Sequence, residues 1–126
     1  MDRTAFLITV VDFIERAILP KVSSEGMRWS IGAALPFLPS LLNMKLNEYA
    51  EILSVLGVMD SDGNINLDAV KESLDKAFKA QATLKVNIGS LLPKNVPELL
   101  REKLSGLNVT FTQQDAKDFL LMLRER

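Results

Sequence analysis

The chain has 126 residues and contains neither cysteine nor histidine. Without thiols there is no disulfide, no thiolate nucleophile and no cysteine-held zinc or iron. Nothing in residue usage points to an oxidising compartment, and the expected location is cytoplasmic. Without imidazole, the commonest general base near neutral pH and the commonest transition-metal ligand are both missing. The expectation is therefore a protein with no enzyme activity, no cofactor and no catalytic residue. An excess charge of one sign is lacking too. The net charge is −1, so no broad field draws the chain to nucleic acid.

What is present is apolar. Hydrophobic residues make up 48% and charged residues 25%, ordinary values for a folding chain. The length suits one domain with one core, expected over 1–126 as an apolar helical half (1–57), a polar hinge (58–68) and a second half (69–126). Residues 1–42 are electrically balanced, 43–82 carry four basic against seven acidic groups, and 83–126 carry seven basic against five acidic.

From Thr4 to Leu19, the residues Phe6, Leu7, Val10, Phe13, Ile14, Ala17 and Ile18 fall on one helical face, with Thr9, Asp12 and Arg16 opposite. Pro20 is expected to stop this helix. Its apolar face is wide enough for a central position or for contact with another chain. Asp12, Glu15 and Arg16 interrupt the run, which argues against a signal peptide. Ser23 and Ser24 offer caps for a second helix, which Pro36 and Pro39 must break. The sixteen residues from Trp29 to Met44 carry no charge. A spanning helix needs about 20 apolar residues without such breaks. The run is expected to be a buried kinked helix pair, an interface or a shallow membrane contact. A third helix, Leu46 to Met59, would turn Leu46, Tyr49, Ile52, Leu53, Leu56 and Met59 inward, and Glu48 and Glu51 outward.

The hinge alternates Asp60, Asp62, Asn64, Asn66 and Asp68, like the oxygen ligands of an EF-hand. Ile65 stands where that loop needs glycine, however, and Lys71 where it needs a bidentate glutamate. Asp60, Asp62, Asn64 and Asp68 are weak metal candidates at best, and no metal is expected. Turn chemistry accounts for the same residues: Gly63 at positive φ and Asn66 capping the next helix.

That helix, Asn66 to Gln81, has a narrow stripe of Leu67, Val70, Leu74, Ala77 and Phe78. Glu72–Lys76 and Asp75–Lys79 pair on its outer face. The period then falls to two at Leu84, Val86 and Ile88 and again at Leu107, Val109 and Phe111, predicting two strands. Between them lies a short helix, Glu98 to Leu104. Thr112 with Asp115 predicts a capping box for a last helix. Lys85, Lys94, Arg101 and Lys103 lie near the ribbon without exposed aromatics to stack bases, so nucleic acid is not an expected partner.

The stretches Leu56-Gly57-Val58-Met59-Asp60, Asp62-Gly63-Asn64-Ile65-Asn66-Leu67-Asp68 and Val109-Thr110-Phe111-Thr112-Gln113-Gln114-Asp115 together resemble small bacterial proteins encoded in prophages and other mobile elements. The resemblance implies an accessory or assembly role and no catalytic residues. The expected fold is α+β, mostly helical with four to six helices and one small two-stranded antiparallel ribbon near the C-terminus. The expected function is non-catalytic interaction or assembly, through self-association or a protein partner, with Phe6, Phe13, Trp29, Phe37 and Leu41 as surface candidates. The alternatives are a peripheral membrane protein using residues 29–44, a carboxylate-only enzyme and a weak calcium binder.

Overall fold

Asp2 opens the first helix, α1 (Arg3–Phe13), by accepting the Ala5 N–H at 3.1 Å, one of the amide groups a helix start leaves without a partner. The structure, a computed structural model, describes residues 1–126, with every side chain except that of Leu100. Helix α1 is central. Leu7, Phe13 and also Thr9 are buried, and Thr9 thereby departs from the outward position its spacing suggests. Its hydroxyl donates to the Ala5 carbonyl at 2.8 Å, so the one polar atom is satisfied within the helix and burial costs little.

The chain does not stop at Pro20. It widens into a π-helical turn, Ile14–Ile18, and tightens into a 3-10 turn, Leu19–Lys21, before Val22 extends. Pro20 has no N–H to give a regular helix, and it falls inside the tight turn.

Helix α2 (Glu25–Ala34) starts on Ser24, whose hydroxyl accepts from Met27 N–H. Pro36 sits in the 3-10 turn Leu35–Phe37, and Pro39 lies in the first turn of α3 (Leu38–Glu48), where no N–H is needed. The expected third helix is divided. It breaks at Tyr49 (φ −105°, ψ 13°) and resumes as α4 (Ala50–Val55). It ends at Gly57, whose φ is +74°. Val58 N–H reaches the Leu53 carbonyl at 2.9 Å, and Gly57 N–H reaches that of Ser54 at 3.0 Å. This pair of bonds is the Schellman stop, which favours glycine at the left-handed position.

At the polar turn one Asp60 carboxylate oxygen accepts the N–H groups of Asp62 and Asn64, both at 2.9 Å. Gly63 has φ +83°. Met59 bridges to Ile65, which is 1% exposed. Ile65 also exchanges two 2.7 Å bonds with Met1, one each way, so the turn is tied down to the start of α1.

Asn66 then caps α5 (Leu67–Ala80), accepting from Asp68 and Ala69. On its outer face Lys71 pairs with Asp75 and Lys76 with Glu72, so Asp75 takes the lysine before it rather than Lys79.

Strands β1 (Thr83–Asn87) and β2 (Asn108–Thr112) pair antiparallel, with Leu84 opposite Phe111 and Val86 opposite Val109. The connector contains a 3-10 turn, Ile88–Leu91, and α6 (Glu98–Ser105). Thr112 and Asp115 form the capping box that opens α7 (Gln113–Arg124). The chain is thus mostly helical with one two-stranded sheet, as the periodicities predict.

Helix α1 packs on α3 and α7, and α5 packs on α7 and β1. Five of the six phenylalanines make a chain of ring contacts through this core. Phe6 meets Phe119 at 6.2 Å, Phe119 meets Phe13 at 5.1 Å, Phe13 meets Phe111 at 5.7 Å, and Phe111 meets Phe78 at 5.9 Å. These are centroid separations typical of favourable aromatic pairs.

Candidate functional site

The core does not close completely. Between α1, α2, α3, the ribbon and the connector lies an apolar cavity of about 260 Å3. Phe13 and Ile14 line it from α1, Ile31 and Ala34 from α2, and Leu38, Leu41 and Leu42 from α3. Val86, Val109 and Phe111 line it from the ribbon, and Leu91, Leu92 and Leu104 from the connector. Ser30 is the one polar residue in the lining among the described residues, and its hydroxyl is spent on the Gly26 carbonyl at 3.0 Å.

Outside, two apolar faces point to solvent. Along the run from α2 into α3 the exposed positions are Trp29, Ser30, Ala33, Pro36, Phe37 and Ser40; all but Ser30 are spaced as one side of a helix, and none carries a charge. Trp29 is 77% exposed and Phe37 67%. The second face is α4, where Tyr49, Ile52, Val55 and Leu56 all stand exposed, Val55 at 87%. Tyr49, Ile52 and Leu56 therefore do not face inward. The break at Tyr49 ends the continuous helix that their spacing assumed, and the Schellman stop leaves only Met59 of that stripe fully buried.

The five surface candidates are consequently divided. Trp29 and Phe37 lie on one exposed face. Phe13 is buried between Phe111 and Phe119, and its ring is needed there for the core. Phe6 is half-buried against Phe119, and Leu41 is half-buried in the cavity wall. Sequence spacing missed the α4 face. Leu56-Gly57, a helix-stop signal two residues before Met59, was the readable clue.

The acidic groups are arranged for structure. Among the described residues no three carboxylates or other ligating groups gather at metal-binding distance. Asp62, Asn64 and Asp68 are exposed, while Asp60 spends its oxygen on the turn. The Asn64 N–H bond chiefly, with smaller help from the Asp62 and Gly63 N–H groups, holds the Asp60 carboxyl below its ordinary 3.8 against the opposing effect of desolvation. That is the wrong direction for a general acid. Glu51, Asp60 and Asp62 border one shallow depression with Arg3. Glu48 is elsewhere engaged, accepting Lys94 N–H at 2.8 Å with Lys45 at 3.8 Å. Arg101 turns back onto the Pro93 carbonyl.

One ion pair is half sheltered. Asp115 meets the Lys21 ammonium and also accepts from the Thr112 N–H and hydroxyl. Burial alone would raise its pKa, but the Lys21 and Thr112 hydrogen bonds and the Lys21 charge outweigh it and hold the carboxyl below 3.8.

No helix among the described residues is long and apolar enough to cross a membrane. No protein-family model, no curated protein and no solved structure matches this chain.

Proposed function

We propose that the protein is a non-catalytic interaction or assembly protein, which docks a protein surface, a second copy or a partner, on the uncharged face of residues 29–40. The observation that supports this is Phe37. Five phenylalanines build the core, and the sixth stands in solvent with Trp29 on a face without a single charge. Large exposed aromatics at the centre of an apolar patch are the usual anchors of protein contacts. The accessory role implied by the resemblance to mobile-element proteins agrees with this reading.

The test is absolute mass by light scattering coupled to size exclusion, without detergent. The expected result is a mass above the 14.0 kDa of one chain, returning to one chain in a Trp29→Ser/Phe37→Ser double variant with unchanged melting temperature. A strict monomer whose double variant matches it in solubility and heat-induced aggregation would overturn the proposal.

A second reading has the exposed Trp29 in its favour, because indole rings settle at membrane interfaces. In that reading the same face makes a peripheral lipid contact. It is abandoned if the protein stays in the supernatant when anionic liposomes are sedimented.

A further inference from the structure

We propose that the apolar cavity, which stays partly open to solvent beside Ser30, is a binding site for a neutral, apolar molecule of about ten non-hydrogen atoms, such as a medium-length alkyl chain. The size follows from volume. An apolar cavity of roughly 150 Å3 accommodates six-carbon benzene, and in proportion the 260 Å3 here holds about ten carbons. The chemistry follows from the lining. Ser30 offers no free donor, since its hydroxyl proton goes to the Gly26 carbonyl, and no charged side chain borders the space among the described residues. Water needs two to four polar partners to be held in such a place. The lining excludes a charged head group for the same reason, so recognition rests on shape and apolar contact alone.

The walls are held apart rather than free to collapse. The ribbon is fixed by its ladder and by the Phe13–Phe111 and Phe78–Phe111 contacts. On the far side Lys45 donates to the Leu92 carbonyl at 3.3 Å and Glu48 accepts from Lys94 N–H at 2.8 Å, which sets the distance from α3 to the connector. The connector is fixed in turn where Gly89 meets the Ser105 backbone. A Cβ at residue 89 would lie 3.0 Å from Ser105 atoms, so α6 already sits as close as it can. This is why wall residues such as Leu38, Leu42, Val86 and Leu104 are only half-buried: each has protein on one side and space on the other. Of the exposed residues in 29–40 only Ser30 also borders the site, whereas Trp29 and Phe37 do not, so occupancy of the cavity can be read apart from coverage of those two side chains.

The experiment is methyl NMR of the intact chain titrated with n-decanol. Saturable shifts are expected at the methyls of Ile31, Leu42 and Val109, and none at the surface methyls of Ile52 and Val55. The melting temperature should rise by about 10 °C at a hundredfold excess over Kd. Ala34→Phe, which places a ring in the space, should weaken binding at least tenfold while the fold is retained. Shifts that grow linearly without saturating, or that fall on Ile52 and Val55 only, overturn the proposal, as does a folded Ala34→Phe that binds like the parent. The wild-type methyl map decides by itself where the alcohol goes, so a variant that fails to fold does not rescue the idea.

Discussion

Two residues set conformations that their neighbours depend on. Gly63, at φ +83°, has the Arg3 side chain 3.5 Å from where a Cβ would be. A β-branched residue there must adopt a backbone region it avoids, so Gly63→Val is expected to lose about 1–2 kcal/mol of stability in urea unfolding. Asp115 governs the response to acid. Its carboxyl is held below 3.8 in the folded chain, so on acidification the unfolded chain takes up the proton first. The stabilisation is fully present above pH 3.8 and is lost as the pH falls through the lower folded value. Asp115→Asn should therefore flatten the acid limb of a melting-temperature profile, with Asp60, also held below 3.8, contributing in the same sense. An unchanged limb would show that Asp115 is not the titrating group.

At the scale of elements, the placement of α6 turns on one close approach. Gly89 lies against Ser105 at the helix end, and Asn87 stitches the same spot by donating to the Ser105 carbonyl and accepting from Ser90 N–H. Adding a methyl group must push the helix off the turn. Gly89→Ala is expected to cost about 1–3 kcal/mol and to increase amide exchange in Glu98–Ser105 ahead of the remainder of the chain. Retention of wild-type protection there would contradict this packing.

The sequence made some elements legible and others not, for reasons of range. Ser24, Asn66 and the Thr112–Asp115 box act within four residues, and the two strands alternate every second residue; such signals survive without tertiary context. The break at Tyr49, the π-helical turn and the burial of Thr9 depend on what packs across the helix, and a local pattern does not contain that. The cavity is the clearest case. Leu38 and Val86 look the same in a sequence whether they touch another side chain or an opening. Of the surface candidates only Trp29 and Phe37 were found, because apolar spacing marks a face without saying whether anything covers it.

For the whole molecule, the halves on either side of the polar turn are tied by contacts far apart in sequence. Lys21 pairs with Asp115 and Arg126 with Asp12 across the two halves, while Met1 bonds Ile65 of the turn itself. With a net charge of −1, repulsion between molecules is weak, so the association proposed for the 29–40 face would be governed by apolar burial. The dissociation constant measured by light scattering should accordingly decrease when sodium sulfate is added, since excluded salts favour burial. An increase with salt would mean that ion pairs carry the contact.

The position of Trp29 has an optical consequence. It is the chain's one tryptophan, stands mostly in solvent and takes no part in the cavity wall. Its emission is expected to be that of a hydrated indole and to change little on unfolding, so denaturation is better followed by circular dichroism. A blue shift of that emission on concentration or mixing would report coverage of one surface and nothing else, giving a single-wavelength readout that is blind to whatever fills the interior.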